Sequence, residues 1–380
     1  MNIIHIVRGD YAPTALNGVY NVIHNISVGY NKTGKAKALV CSISNTNSVE
    51  IFKCEEYEHV QFSEHKLLFF LSSRFKEFLL AQPRDTVIHL HSVFIPWFLY
   101  TVKFLRRNGF NNIVLTPHGQ YINEAMSLSL KKRLFFYFFD KHVIRNVNAV
   151  QIIGRTEAND YIKSNAKRYV LIPNGCNIAK SIERINDVDS SNLIFGYMGR
   201  LATLQKGLDI LLKAFAFYRK QGGCGLLHIA GSGADEKYLK ELCRQLSIND
   251  TVRFVGTKLG KEKSNFLLKC GFFIHTSRWD VVPTGCMEAA AYGIPLVVSS
   301  ETNLDTYVDY YDAGISVSIA KHPVQKIADV LFKAERLFFE KNEYDKLSKN
   351  AQRMVDTELN WTHIAHRIIG KLYNNPTTHI

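Results

Sequence analysis

The sequence predicts an α/β protein made of two doubly wound domains. Three observations carry that prediction. Short apolar runs alternate with longer amphipathic stretches, as βαβ units require. A polar stretch with no periodic apolar face, 179–192 (AKSIERINDVDSSN), interrupts the alternation. The alternation then restarts and runs for a similar length. A chain of 380 residues has room for two or three such domains.

In the first half the apolar runs 2–7, 36–42, 86–91, 112–116, 148–153 and 169–172 read as strands. Helix-like segments lie between them at 18–30, 66–81, 96–108, 125–145 and 155–165. In the second half strands are expected at 193–198, 225–230, 252–255, 271–275, 295–299 and 314–318. Helices are expected at 206–221, 234–247, 260–269, 285–292, 322–338 and 343–357. The segment 360–373 carries apolar residues at 361, 364, 365, 368, 369 and 372, a helical face. The expected division is 1–180 for the first domain, 181–192 for a linker, 193–359 for the second domain and 360–380 for a terminal helix and tail. Two such domains facing each other leave a cleft at the carboxyl ends of their strands, where open α/β sheets bind ligands.

Composition narrows the class. Hydrophobic residues make up 46% and charged residues 21% of the chain, ordinary for a globular protein and wrong for a disordered one. The net charge is +13. It is uneven: residues 1–185 hold 23 Lys and Arg against 13 Asp and Glu, while 186–380 hold 24 against 21. Seven cysteines form no CxxC pair, which argues against a disulfide scaffold or structural zinc and for a reducing compartment. The opening MNIIHIVRGD is too short in its apolar run for a signal-peptide core, and no window is long and apolar enough for a transmembrane helix. A soluble cytoplasmic protein is the expectation.

Two motifs suggest chemistry. In GYMGRLATLQKGLDILLKAF (196–215) a strand runs into Gly199-Arg200, and Lys206-Gly207 then opens a helix. Two permanent cations beside a helix N-terminus suit a diphosphate. The residues alone leave a surface Arg and Lys on a βα loop equally open. In HTSRWDVVPTGCMEAAAYGIPLVVSS (275–300), Asp280 and Glu288 are separated by seven residues, and Glu288 falls in the first turns of an Ala-rich helix. A carboxylate there can accept from both hydroxyls of a sugar diol, although a lone Glu at a helix start is also an ordinary dipole preference. Gly231-Ser232-Gly233 begins like a dinucleotide fingerprint, but Glu236 breaks it. Asp187-Val188-Asp189 reads as a solvated turn.

Together with HLHSVFIPWF (89–98), TPHGQY (116–121), LIPNGCNI (171–178), HIAGSG (228–233) and VRFVG (252–256), these motifs resemble retaining glycosyltransferase family 4 of the GT-B fold. The resemblance covers nearly the whole chain. It implies two Rossmann-like domains across a cleft, with a C-terminal helix that can cross back. It implies that Arg200 and Lys206 bind the donor diphosphate, that Glu288 binds the nucleotide ribose, and that Asp280 and His118 serve the transferred sugar. Gly18 matches the glycine loop after the first strand, and Gly231 and Gly233 match the turn beneath the donor. Three departures stand out. Asp280 occupies a position usually held by Glu. Val281-Val282-Pro283 replaces Gly-Phe-Gly; Pro283 has no N–H to donate, which leaves contacts to Thr284 and other amides. The loop Ala15-Leu16-Asn17-Gly18 has one Gly instead of two.

The implied activity is retaining transfer of a sugar from a UDP- or GDP-sugar to a lipid-linked glycan in bacterial surface-polysaccharide synthesis (lipopolysaccharide, O-antigen or capsule), without a metal or other cofactor. The alternatives are a glycan- or membrane-associated protein with a decayed site, and a sugar-nucleotide epimerase of the same fold. The basic, aromatic segments 66–80, 96–107 and 131–145 suit peripheral contact with an anionic bilayer on the inner face of the cell membrane, or else simple burial against the first sheet. No nucleic-acid-binding motif is present.

Overall fold

A computed structural model describes residues 1–12, 17–46, 49–54, 56–177 and 192–374. The predicted linker, apart from Asn192, and the Asp187–Asp189 turn lie outside the described residues, as do Ala15 and Leu16. The chain forms two units. One comprises Met1–Gly175 together with Trp361–Ile380, and the other Cys176–Asn360.

The first unit holds an eight-stranded sheet of β1 (Asn2–Arg8), β2 (Lys37–Ser44), β3 (Glu50–Lys53), β4 (Glu58–Ser63), β5 (Val87–His91), β6 (Ile113–Thr116), β7 (Ala149–Ile152) and β8 (Tyr169–Leu171). Its order is β3-β4-β2-β1-β5-β6-β7-β8, and every pairing is parallel except β3 with β4. The central strands β1, β5, β6 and β7 are buried on both faces, the usual state of a parallel sheet. The order reverses between β1 and β5. His5 of β1 stands in register with His89 of β5, and His91 follows on the same face at period two.

The hairpin β3–β4 escaped the sequence reading. GluIlePheLys and GluHisValGlnPheSer are short, and they carry the charges that edge strands use against aggregation. The helix expected over 66–81 forms only at Ser73–Leu80, and Leu67–Phe70 stay in an exposed turn. The expected 125–145 helix breaks at Ser129, whose hydroxyl caps a fresh helix by accepting from Lys132 N at 3.3 Å.

The helix Gly18–Thr33 starts at Asn17, whose side chain accepts the amides of Val19 and Tyr20, and stops at Gly34 with φ +65°. Against it packs the terminal helix Trp361–Arg367, continued by a π-helical turn Ile368–Tyr373. Gly29 permits the approach: a Cβ there would lie 2.9 Å from Trp361 O. Arg168 donates to the carbonyls of Lys371 and Leu372 and satisfies the end of that helix. The C-terminal segment is therefore part of the first unit's core.

The second unit holds β9 (Ile194–Met198), β10 (Leu226–Ala230), β11 (Val252–Gly256), β12 (Phe272–His275), β13 (Leu296–Ser299) and β14 (Gly314–Val317). The order is β11-β10-β9-β12-β13-β14, all parallel. This is the doubly wound order with its switch point between β9 and β12. Leu208, Leu211, Leu212 and Phe215 of the helix Leu208–Lys220 are fully buried against it, together with Ile327, Ala328 and Leu331 of the helix Pro323–Phe339.

Candidate functional site

In the second unit the predicted residues collect where β9 and β12 end. The segment after β9 runs through Arg200 into a short helix, Thr203–Lys206. Gly207, with φ +65°, then starts the helix Leu208–Lys220. A Cβ at Gly207 would fall 2.2 Å from Thr276 O, so only glycine lets this turn pass the loop after β12. Arg278 locks the two loops together. It binds Asp209 through both terminal nitrogens at 2.9 and 2.8 Å and donates to Thr203 O at 2.8 Å.

Lys206 is brought onto Asp280, 74 residues away, in a direct ion pair. His275 Nε2 lies 3.0 Å from the same carboxylate oxygen. Burial alone would raise the Asp280 pKa, but the Lys206 ammonium and His275 outweigh it and hold the carboxyl well below the usual range. His275 is itself pushed down by burial, partly offset by Asp280, and its ring stacks on Tyr197 at 5.5 Å. The loop bearing Asp280 is fastened from the other side. Asp280 N donates to Glu301 O at 2.9 Å, Asn303 Nδ2 to Asp280 O at 2.5 Å and Val282 N to Thr302 O at 3.0 Å. Val282 has φ +52°, a costly conformation for a buried β-branched residue that only an over-determined loop sustains.

The other residues surround this pair less tightly. Arg200 donates to Gln205 Oε1 at 2.7 Å and is exposed. Gly231 and Gly233 do structural work: Cβ atoms there would fall 1.9 Å from Gly199 O and 2.3 Å from Leu201 O. They let the loops after β9 and β10 run side by side, with Leu201 N donating to Ser232 O at 2.9 Å. Thr284 is exposed at the start of the helix Thr284–Ala291, behind Pro283. Glu288 sits one turn further on and pairs with Lys263 at 2.9 Å, both about one-third exposed. Lys263, His275 and Arg278 were missed: Lys263 and Arg278 find partners 25 and 69 residues away, and His275 meets Asp280 only through the bend after β12.

In the first unit Gly18 opens its helix, and a Cβ there would meet none of the described residues within 4 Å. His118 follows β6 with φ +56°. Its ring Nε2 lies 3.0 Å from His91 Nδ1, and His91 Nε2 lies 2.8 Å from His5 Nδ1. Buried Glu157 accepts the amides of Gly119 and Ile153 at 2.6 and 2.7 Å and so ties down the His118 turn. His5, His89 and His91 are the one cluster with metal-ligand proximity among the described residues.

Residues 178–354 match the family model for glycosyl transferases group 1. The chain is 22% identical to an uncharacterized glycosyltransferase of Methanocaldococcus jannaschii over 97% of each chain. It is 27% identical to the amylovoran biosynthesis glycosyltransferase AmsK of Erwinia amylovora, over 45% of this chain and 42% of that one. Among solved structures it resembles sucrose-phosphate synthase from Thermosynechococcus elongatus (TM-score 0.73, 18% identity, 98% of each chain). It also resembles Anabaena HepE in complex with UDP (TM-score 0.71, 15% identity, 98% of this chain and 99% of that one). Residues 178–354 thus match the group 1 glycosyltransferase family, and the two-domain α/β fold matches that of GT-B glycosyltransferases.

Proposed function

We propose that the chain transfers a sugar, with retention, from a nucleotide diphosphate sugar to a lipid-linked glycan. The Lys206–Asp280 pair, set where β9 and β12 end, carries this reading. One ammonium proton of Lys206 engages Asp280, and its other donors remain for a diphosphate oxygen. Arg200 and the N-terminus of the helix Leu208–Lys220 add positive charge to the same loop, so the leaving group is stabilised by fixed donors without a metal. Asp280, kept ionised, faces the positive charge that develops at the anomeric carbon. Glu288 takes the ribose hydroxyls and Thr284 adds a donor contact, while Gly18 and His118 keep the donor-side roles that the family resemblance implies. The UDP in the HepE structure supports a nucleotide-bound donor. The amylovoran role of AmsK supports a polysaccharide product.

No helix among the described residues is long and apolar enough to cross a membrane. A surface of the first unit supports a peripheral membrane position. Leu67 and Leu68 are 62% and 50% exposed, and Leu130 and Phe138 are 62% and 59% exposed. Phe69 and Phe139, with ring centroids 5.3 Å apart, join the two segments into one patch. Lys66, Lys131, Lys132, Arg133 and Lys141 flank it, the pairing of apolar insertion with cationic attraction that anionic bilayers favour.

A panel of UDP- and GDP-sugars given to the purified protein, with a lipid-linked acceptor, tests the reaction. Transfer abolished in both Lys206→Ala and Glu288→Ala is expected. Unchanged transfer in both would refute the site. Nucleotide binding without turnover would instead favour a decayed site, and conversion of donor without acceptor an epimerase.

A further inference from the structure

The core of the first unit contains two separate hydrogen-bond chains built from histidines, and the first fixes its own protons. Gln151 Nε2 donates to Ile172 O at 3.0 Å, so Gln151 Oε1 must accept from Thr116 Oγ1, 3.0 Å away. Thr116 has then given its proton, and it accepts from His89 Nε2 at 2.6 Å. His89 Nδ1 therefore accepts from the Tyr373 hydroxyl at 2.7 Å, and Tyr373 from Tyr30 at 2.9 Å. Every proton in this chain has one place, and His89 is committed.

The second chain is His5–His91–His118. Burial pushes His5 down to about 3 and His118 to about 4, and holds His91 well below its ordinary value. All three rings are neutral near pH 7 and carry one proton each. Neighbouring rings share one proton per contact, so only two arrangements fit. In one, every Nδ1 is protonated: His5 donates to His91, His91 to His118, and His118 keeps a free Nδ1–H. In the other, every Nε2 is protonated and the direction reverses. The two differ at His5 Nε2, which is buried with no hydrogen-bond partner among the described residues. The second arrangement would bury an unpaired N–H there, and the first only an unpaired lone pair. Orphaned buried N–H groups are the rarer and costlier of the two.

We infer that His5 and His91 are positioning residues that hold His118 as its Nδ1–H form, a neutral hydrogen-bond donor with no lone pair left to act as a base. Its Nε2 lone pair is taken by His91, which leaves its Nδ1–H to donate elsewhere. The benefit to transfer, a fixed donor to a sugar hydroxyl, rests on the proposed reaction. The proton placement does not. The same geometry argues against a metal in the His5–His89–His91 cluster: His5 Nδ1 and His91 Nε2, 2.8 Å apart, already share a proton, whereas a cation needs a lone pair from each.

Long-range proton–nitrogen NMR on the full chain, labelled with nitrogen-15 at histidine, reads this directly, with signals assigned by single His→Asn variants. A protonated Nδ1 and a bare Nε2 are expected at His5, His91 and His118 near neutral pH. Protonation of His118 at Nε2, or at both nitrogens, overturns the inference. In His91→Phe the His118 signal should move toward the Nε2–H form that an unconstrained imidazole prefers, with kcat down about ten-fold, the worth of one hydrogen bond. An unmoved His118 signal in that variant would also overturn it. Excess zinc chloride should leave the spectra unchanged, and a joint shift of His5, His89 and His91 would give the cluster to a metal instead. Because the tautomer is read without turnover, its failure and the failure of the transfer reaction are distinguishable.

Discussion

Glu157 Oε1 accepts the backbone N–H of Gly119 at 2.6 Å, joining the turn after β6 to the turn after β7. Burial pushes this carboxyl up to about 7, although the amides of Ile153, Gly119 and Gly154 pull it down. In Glu157→Gln an amide NH2 replaces one of two accepting oxygens and faces an N–H. The variant should lose about 1–3 kcal/mol of stability in urea denaturation. A loss under 0.5 kcal/mol, the range of about ±0.5 seen for ordinary surface changes, would remove Glu157 from this role.

Lys206 and Asp280 are both largely buried, so removing one strands the other. Lys206→Ala should cost about 3 kcal/mol and raise the Asp280 pKa toward ordinary carboxylate values. The double variant Lys206→Ala, Asp280→Ala should be no less stable than the single one, since the uncompensated charge is gone. A double-mutant cycle by chemical denaturation checks both statements.

Gly231→Ala puts a Cβ against Gly199 O in a region of φ that L-residues avoid. The loops after β9 and β10 must separate, at a cost of about 2–3 kcal/mol. Thermal unfolding should show a clear drop, whereas Gly18→Ala, whose Cβ would meet none of the described residues within 4 Å, should unfold at nearly the native temperature.

Stability should rise with pH between about 4 and 6.5. His5, His59 and His118 are lowered to about 3, 4 and 4, and His89 and His91 lie well below 6.5. Each contributes stability that is present above the unfolded value and is lost as pH falls toward the folded one. The slope is about 1.4 kcal/mol per pH unit per group. Asp140 and Glu157, raised to about 7, act oppositely: their contribution is present below ordinary carboxylate values and lost as pH rises toward 7. Five histidines outweigh two acids. Urea midpoints at about pH 5 and about pH 7 should differ in favour of pH 7.

Much of this architecture was legible in the sequence because parallel strands buried on both faces read as unbroken apolar runs, as in β1, β6 and β13. The hairpin β3–β4 was not, since its charges and its length disguise it as a loop. Arg200, Lys206, Asp280 and Glu288 could be picked out individually. The pairing of Lys206 with Asp280 and of Glu288 with Lys263 could not, because each joins segments far apart in sequence that only the folded sheet and its helices bring together. The histidine chain had a signal in HLH at 89–91, whose period of two places both rings on one face. That His5 and His118 extend it depends on strand register, which no local pattern encodes.

Cys176 N donates to Leu359 O, and Cys176 bridges Asn360, so the second unit's two ends meet. On the other side of the junction, a Cβ on Gly175 would lie 3.0 Å from Trp361 N. Covalently, the second unit is a guest spliced into a host whose cut ends still touch. Such a junction suits genetic excision: Gly175 fused directly to Trp361 should give a continuous host that keeps its terminal helix, with Tyr373 still bonded to His89.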